Sequence, residues 1–322
     1  MERILGRFSM KTTIKNVYVF SVLVLIYVIF TSMSTKFIGA ANIINILRQS
    51  VPLFLVGGAV TLLMISGHID LSVGGILGFS SVVYSLAVKT GMSYFAAGLI
   101  TLLLGTLIGF INGYLVMKLN IVPLIATLAT MSLSIGIGKL LTPRGVGLIK
   151  HLPRGLESFM RTSLLFGLPP AFYVAVIVVA ILVIIQKKTV LGKYAAAIGG
   201  NRTAAELSGI NVVRNVWLMY VIVGFCSALA GIARTSYLHL GDPETGQGME
   251  MDAMIVSVLG GTHFFGGEGS VWRTMVGVLV LMSLTAGMQV AGVPPYWHYC
   301  IRGVVLIFAL LVDIVVKEKI ID

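Results

Sequence analysis

The chain has 322 residues, 57% of them hydrophobic and only 11% charged. A soluble domain carries roughly 25% charged residues, so this composition excludes a soluble enzyme or binding module and describes an integral membrane protein. The formal net charge of +11 fits basic residues collecting on the cytoplasmic side of a bilayer. No basic patch with interleaved aromatics is present to read as a nucleic-acid footprint, so no nucleic-acid partner is expected.

The first element is the apolar run Val17–Met33, preceded by Arg3, Arg7, Lys11 and Lys15. A signal peptide has the same outline, but Ser32–Thr35 offers no clear cleavage site and many apolar runs follow. We read an uncleaved first span. A spanning helix needs roughly 17–25 mostly apolar residues. The further candidates, in order, are Gln49–Ser66, Leu71–Val88, Tyr94–Met117, Ile121–Leu141, Pro169–Ile185, Val216–Arg234, Met251–His263, Val271–Val290 and Trp297–Val316. About ten segments are thus expected, with Met251–His263 too short for an ordinary span. The runs are long and lack period-two alternation, which excludes a barrel. The predicted fold is all-α, a polytopic helical bundle forming one domain over residues 1–322. With the N-terminus inside, the cytoplasmic segments hold more Lys and Arg than the outer ones, which places both ends in the cytoplasm. Loop 142–168 is then extracytoplasmic and loop 186–215 cytoplasmic. Cys226 and Cys300 lie in apolar stretches without a metal-binding or CxxC spacing.

Two breaks share a grammar. In Ser66-Gly67-His68-Ile69-Asp70-Leu71-Ser72-Val73-Gly74-Gly75, Asp70 and Ser72 stand where N-caps open the next helix. In Gly246-Gln247-Gly248-Met249-Glu250-Met251-Asp252-Ala253, Glu250 and Asp252 repeat the pattern of acid, apolar residue and cap. Both segments read as capped hairpins or as gates lined by acids near hydrocarbon depth. The span count places one inside and the other outside, as an inverted repeat would, with helices two to five answering seven to ten. His68 alone makes no metal site. Polar residues inside spans include Asn112, Thr127 and Thr130, which suit helix packing or a pathway for a small polar solute. Thr127 and Thr130 are three apart and share a helical face, which we place on the pathway along a two-fold dimer interface.

No catalytic constellation is present. The glycine-rich run Leu259–Ser270 lacks the lysine and spacing of a phosphate loop, and mid-membrane carboxylates, which ion-coupled carriers usually need, are scarce. No cofactor, metal or ATP site is expected, so work must enter from another chain. In the inner loop, Gly199 and Gly200 precede Asn201, which can cap a helix from Arg202 to Ser208 that Gly209 ends. Ala204, Ala205 and Ser208 give it a smooth face suited to another protein's groove, and Arg202 and Glu206 can pair four residues apart.

These stretches, GHIDLSVGG, INGYLVMKLNIVPLIATLATM, GKYAAAIGGNRTAAELSGI and GMEMDAMIVSVLGGTHFFGGEGSV in that order, resemble the ribose/xylose/galactose-type permeases of bacterial ATP-binding cassette importers, which belong with the simple-sugar and branched-chain amino acid permeases. The resemblance spans about Phe37 to Asp313. It implies a ten-helix permease of the bacterial inner membrane, dimeric, working with cytoplasmic ATPases and a periplasmic or lipid-anchored sugar-binding protein. It further implies that Asn201–Gly209 is the helix that docks on the ATPase. His68 departs from the usual second glycine, and Met249 and Met251 from the usual Tyr and Leu. Autoinducer-2 and nucleoside permeases share much of the pattern, so the solute stays open within that group. A stand-alone secondary carrier is the remaining alternative.

Overall fold

The computed structural model describes residues 19–142 and 148–294 and, of the last helix, 296–297, 300–305, 307 and 311. The basic N-terminal segment and Asp313 lie outside the described residues. The described residues form helices α1 (Val19–Met33), α2 (Ala40–Ile65), α3 (Val73–Lys89), α4 (Tyr94–Met117), α5 (Pro123–Leu141), α6 (Ser158–Arg161), α7 (Pro170–Lys188), α8 (Val190–Gly200), α9 (Arg202–Leu207), α10 (Val212–Leu238), α11 (Met249–Leu259) and α12 (Val271–Val290). Residues 300–305 belong to a further helix, α13.

Six of these, α2, α4, α5, α7, α10 and α12, are long and apolar enough to cross a membrane. α1 and α3 are apolar but shorter, and α11 has only 11 residues. Of the ten or so expected segments, six are thus full-length spans among the described residues, and α11, expected to be short, is short. Several helices outrun their apolar windows. α2 begins at Ala40, nine residues before the expected start at Gln49, because Asn42, Asn45 and Arg48 continue the helix without being apolar. Caps fix other ends: Ser93 accepts from the Ala96 amide at 3.3 Å and Asn211 from the Arg214 amide at 2.9 Å, and Pro123 sits at the first turn of α5, where its missing N–H does no harm.

α2 and α10 form the buried centre, while α4, α5 and α7 keep most of their surface outside the bundle. α10 packs on α3 and α4, α2 packs on α11 and α12, and the two central helices also touch each other. Gly105 and Gly109 let α4 approach α10 closely. A Cβ on Gly224 would lie 2.5 Å from the Gly105 carbonyl oxygen and 2.8 Å from Gly109 Cα. Small residues four apart are what close helix crossings in lipid use.

Loop 186–215 is largely helical, since α7, α8, α9 and α10 fill it. At the opposite end the 148–168 segment is strapped down. Ile149 and Gly241 exchange backbone hydrogen bonds at 2.9 and 3.0 Å, and Arg161 donates to the Tyr237 carbonyl at 3.2 Å.

Candidate functional site

The first break in the bundle builds a polar cluster inside an apolar interior. α2 ends at Ile65 and α3 begins at Val73, and Asp70 turns the chain between them. One carboxylate oxygen, Oδ1, accepts from the Ser72 amide at 2.8 Å and from its hydroxyl at 2.6 Å. Asp70 therefore caps the turn entering α3, while Ser72 makes no side-chain cap of its own. The Ser72 hydroxyl in turn accepts from Asn112 Nδ2 on α4 at 2.7 Å, and Asn112 Oδ1 accepts from the Thr130 hydroxyl on α5 at 2.7 Å. Tyr220 on α10 donates to the Ile69 carbonyl at 3.0 Å and so holds the same break from the other side. All four side chains, Asp70, Ser72, Asn112 and Thr130, are buried. An unpaired polar group here would be costly, and the chain of bonds avoids that. Next door, His68 contacts Ser66, and burial is the main cause holding its imidazole below the ordinary histidine pKa.

Thr127 and Thr130 both face inward, into the chain's own interior. The Thr127 hydroxyl donates to the Pro123 carbonyl at 2.8 Å and makes no bond to Asn112. Both are buried by this chain's own helices rather than standing on its outer surface. The exposed face of α5 instead carries Ile125, Leu128, Leu133, Ile137 and Leu140, and the two hydroxyls bond to the Pro123 carbonyl and to Asn112.

The second break meets the first. The segment after α10 runs back along α3, with the Pro243 carbonyl against Gly78 and the Gly246 carbonyl against Gly74. A Cβ on Gly74 would lie 2.5 Å from that Gly246 oxygen and would overlap the Glu250 carboxylate. The two breaks, expected on opposite sides, therefore touch inside the bundle, because glycines on α3 let the turns of 243–248 sink beside it. Glu250 Oε1 accepts from the Gly248 amide at 3.2 Å, and Oε2 is buried without a partner. Asp252 does not cap α11: Gly248 stands at the cap in the left-handed region, and Asp252 pairs with Arg302 on α13 at 3.2 Å. Arg302 was not singled out from sequence. Its signal was available, since a lone basic residue inside the Trp297–Val316 run marks a partner or a pathway.

At the other end of α10, α9 is capped by Asn201, whose Oδ1 accepts from the Ala204 amide at 2.9 Å, and Gly209 follows with φ +80°. Arg202 and Glu206 pair at 3.1 Å on the surface. Ala204 and Ser208 are exposed, but Ala205 is buried at 4% exposure against its own chain. It therefore does not belong to the outward face, as the sequence reading had it. A six-residue helix lying on the bundle must turn one side inward, and Ala205 is on it. The outward face carries Leu207, 86% exposed, which sequence reasoning passed over. Among the described residues no three His, Cys, Asp or Glu side chains gather as a metal site would require.

The model of the family described as "Branched-chain amino acid transport system / permease component" matches residues 42–310. A ribose import permease protein of Bacillus subtilis is 35% identical over 291 residues, covering 90% of each chain. Its counterpart in Haemophilus influenzae is 33% identical over 297 residues, 91% of each. A galactose/methyl galactoside import permease protein of Salmonella typhimurium is 30% identical over 325 residues, 96% of this chain and 97% of that one. No solved structure matches. A family match over residues 42–310, with relatives 30–35% identical over most of the chain, places the protein as a member of the branched-chain amino acid transport system permease component family.

Proposed function

We propose that the chain is the membrane permease subunit of an ATP-binding cassette importer that brings a monosaccharide into a bacterial cell through the inner membrane. The observation that carries this reading is the buried network of Asp70, Ser72, Asn112 and Thr130 beside the meeting point of both breaks. A polyhydroxylated, uncharged solute exchanges hydrogen bonds with hydroxyl and amide groups, and such groups supply most of this network. Relatives named as ribose and galactose import permeases support the same substrate class. Ribose, xylose and galactose all fit this class, and autoinducer-2 and nucleosides are chemically close alternatives that the same donors and acceptors would suit.

In this reading α9 is where the cytoplasmic ATPase docks, with Gly199, Gly200, Asn201, Arg202, Ala204, Glu206, Ser208 and Gly209 shaping it and Leu207 as its apolar contact. A periplasmic or lipid-anchored binding protein delivers the solute to the end of the bundle that carries 148–168. A second copy of the chain completes the pathway. The packing of α10 on α3 and α4, answered by α2 on α11 and α12, supports the inverted repeat; ten segments with both ends cytoplasmic rest on the apolar runs and the Lys and Arg distribution.

The test is uptake by proteoliposomes holding the chain with its ATPase, given binding protein and a panel of ribose, galactose, xylose, autoinducer-2 and a nucleoside. ATP-dependent accumulation of one monosaccharide is expected. Uptake driven by a proton gradient without the ATPase contradicts the reading.

A further inference from the structure

Three separate segments meet by bare backbone at the end of the bundle that carries α9. Gly267 donates its amide to the carbonyl of Ile65, the last residue of α2, at 2.9 Å. A Cβ on Gly266 would lie 2.6 Å from Gly67 N, 2.7 Å from Gly67 Cα and 3.1 Å from Gly199 Cα. A Cβ on Gly199 would overlap the Ile65 carbonyl oxygen and lie 2.5 Å from Gly267 N. Gly67, Gly266 and Gly267 have φ of +77°, +89° and +87°, a region that other L-residues rarely adopt. No side chain can stand between the three strands of chain. Gln186, near the end of α7, fastens the same junction: its Nε2 donates to the Gly269 carbonyl at 2.8 Å and its Oε1 accepts from the Val271 amide at 2.9 Å.

Each strand leads directly to a functional element. Gly199 and Gly200 run into Asn201, the cap of α9. Gly67 lies three residues before Asp70, and Gly266 and Gly267 join α11 to α12. A contact made through flexible side chains absorbs a displacement by changing rotamers. Backbone on backbone has no such slack and passes displacement on through close packing.

We propose that Gly67, Gly199 and Gly266 are positioning residues for transport: their contact passes movement of α9 to both breaks at once, shifting the Asp70 turn and the α11–α12 connection together. The proposal rests on the reading of α9 as the ATPase docking helix, and the test separates the two.

The importer is assembled with its ATPase and binding protein, and ATPase retention, binding-protein-stimulated hydrolysis and uptake are read in parallel. Gly67→Ala and Gly266→Ala, both outside the docking helix, should retain the ATPase yet lower stimulated hydrolysis and uptake by about tenfold or more, the scale an overpacked contact produces. Gly98→Ala, whose added Cβ meets only Ile232 Cδ1 at 4.0 Å, should behave as the parent. Hydrogen exchange on the unmodified complex needs no variant to fold: adding a non-hydrolysable ATP analogue should change protection in 65–70 and 264–269 together with that in α9. Leu207→Asp should release the ATPase; if the ATPase stays bound, the docking reading and this proposal fall together. If Leu207→Asp releases it while Gly266→Ala imports normally, or α9 alone changes protection, only the junction proposal is overturned.

Discussion

Thr130 on α5 donates its hydroxyl to Asn112 Oδ1 on α4 at 2.7 Å, deep in an otherwise apolar layer. The bond ties two helices that keep most of their surface outside the bundle to the turn that opens α3. Thr130→Val keeps the shape and strands the Asn112 carbonyl. A buried acceptor without its donor costs roughly 1–2 kcal/mol in membrane interiors. Thermal unfolding in detergent should register that loss, and Thr130→Ser should recover it. Equal melting of the Val and Ser variants would show that the hydroxyl contributes nothing.

The Asp252–Arg302 pair lies between α11 and α13, with side-chain exposures of 11% and 29%. Losing one member of a fully buried pair costs about 3–5 kcal/mol, and partial exposure of Arg302 reduces this to roughly 1–3 kcal/mol. Asp252→Asn and Arg302→Gln should each lower stability and uptake. The exchange Asp252→Arg with Arg302→Asp should recover more than either single exchange retains. A double exchange no better than the worse single one counts against the pair.

Gly78→Ala places a Cβ against the Pro243 carbonyl. The 242–248 segment must then lift away from α3, and overpacking of this kind costs about 1–3 kcal/mol. Melting and uptake should both fall, whereas Gly98→Ala should change neither. Unchanged melting of Gly78→Ala would mean that the segment does not sink beside α3.

The two faces of α9 separate docking from folding. Ala205→Trp should destabilise the chain itself by roughly 1–3 kcal/mol, because Ala205 packs against its own bundle. Leu207→Ala should leave melting unchanged and weaken ATPase retention in pull-down by detergent-solubilised permease. The reverse pattern, with Ala205→Trp stable and Leu207→Ala fully retained, would place the docking surface elsewhere.

Local chemistry was the legible part of this molecule. The cap at Asn201, the stop at Gly209 and the turn at Asp70 are decided by residues within three or four positions, and each stands where sequence places it. The apolar windows located the long helices and matched α4 and α12 end to end, but they missed the start of α2, since residues such as Asn42 and Arg48 extend it without being hydrophobic. Contacts between distant segments left weaker traces. Asp252 read as a cap because its partner, Arg302, lies 50 residues on, with no period linking them. Thr127 and Thr130 share a face that periodicity identifies, but periodicity does not say whether that face turns inward. Likewise, nothing in Arg202–Ser208 distinguishes the inward Ala205 from the outward Ala204 until the helix is laid on the bundle.

In the proposed pathway a polar solute moves past the Asp70–Ser72–Asn112–Thr130 network under power from a separate ATPase. The most direct measurement is ATP-driven uptake of labelled monosaccharide by proteoliposomes holding the assembled importer, with either the parent chain or Asn112→Leu. Leu removes the amide that joins Ser72 to Thr130 while keeping a similar volume. The account predicts that the Asn112→Leu complex retains its ATPase and still hydrolyses ATP, while uptake falls by about tenfold or more, the scale of one or two lost hydrogen bonds. Uptake at the parent rate by an intact Asn112→Leu complex would contradict it.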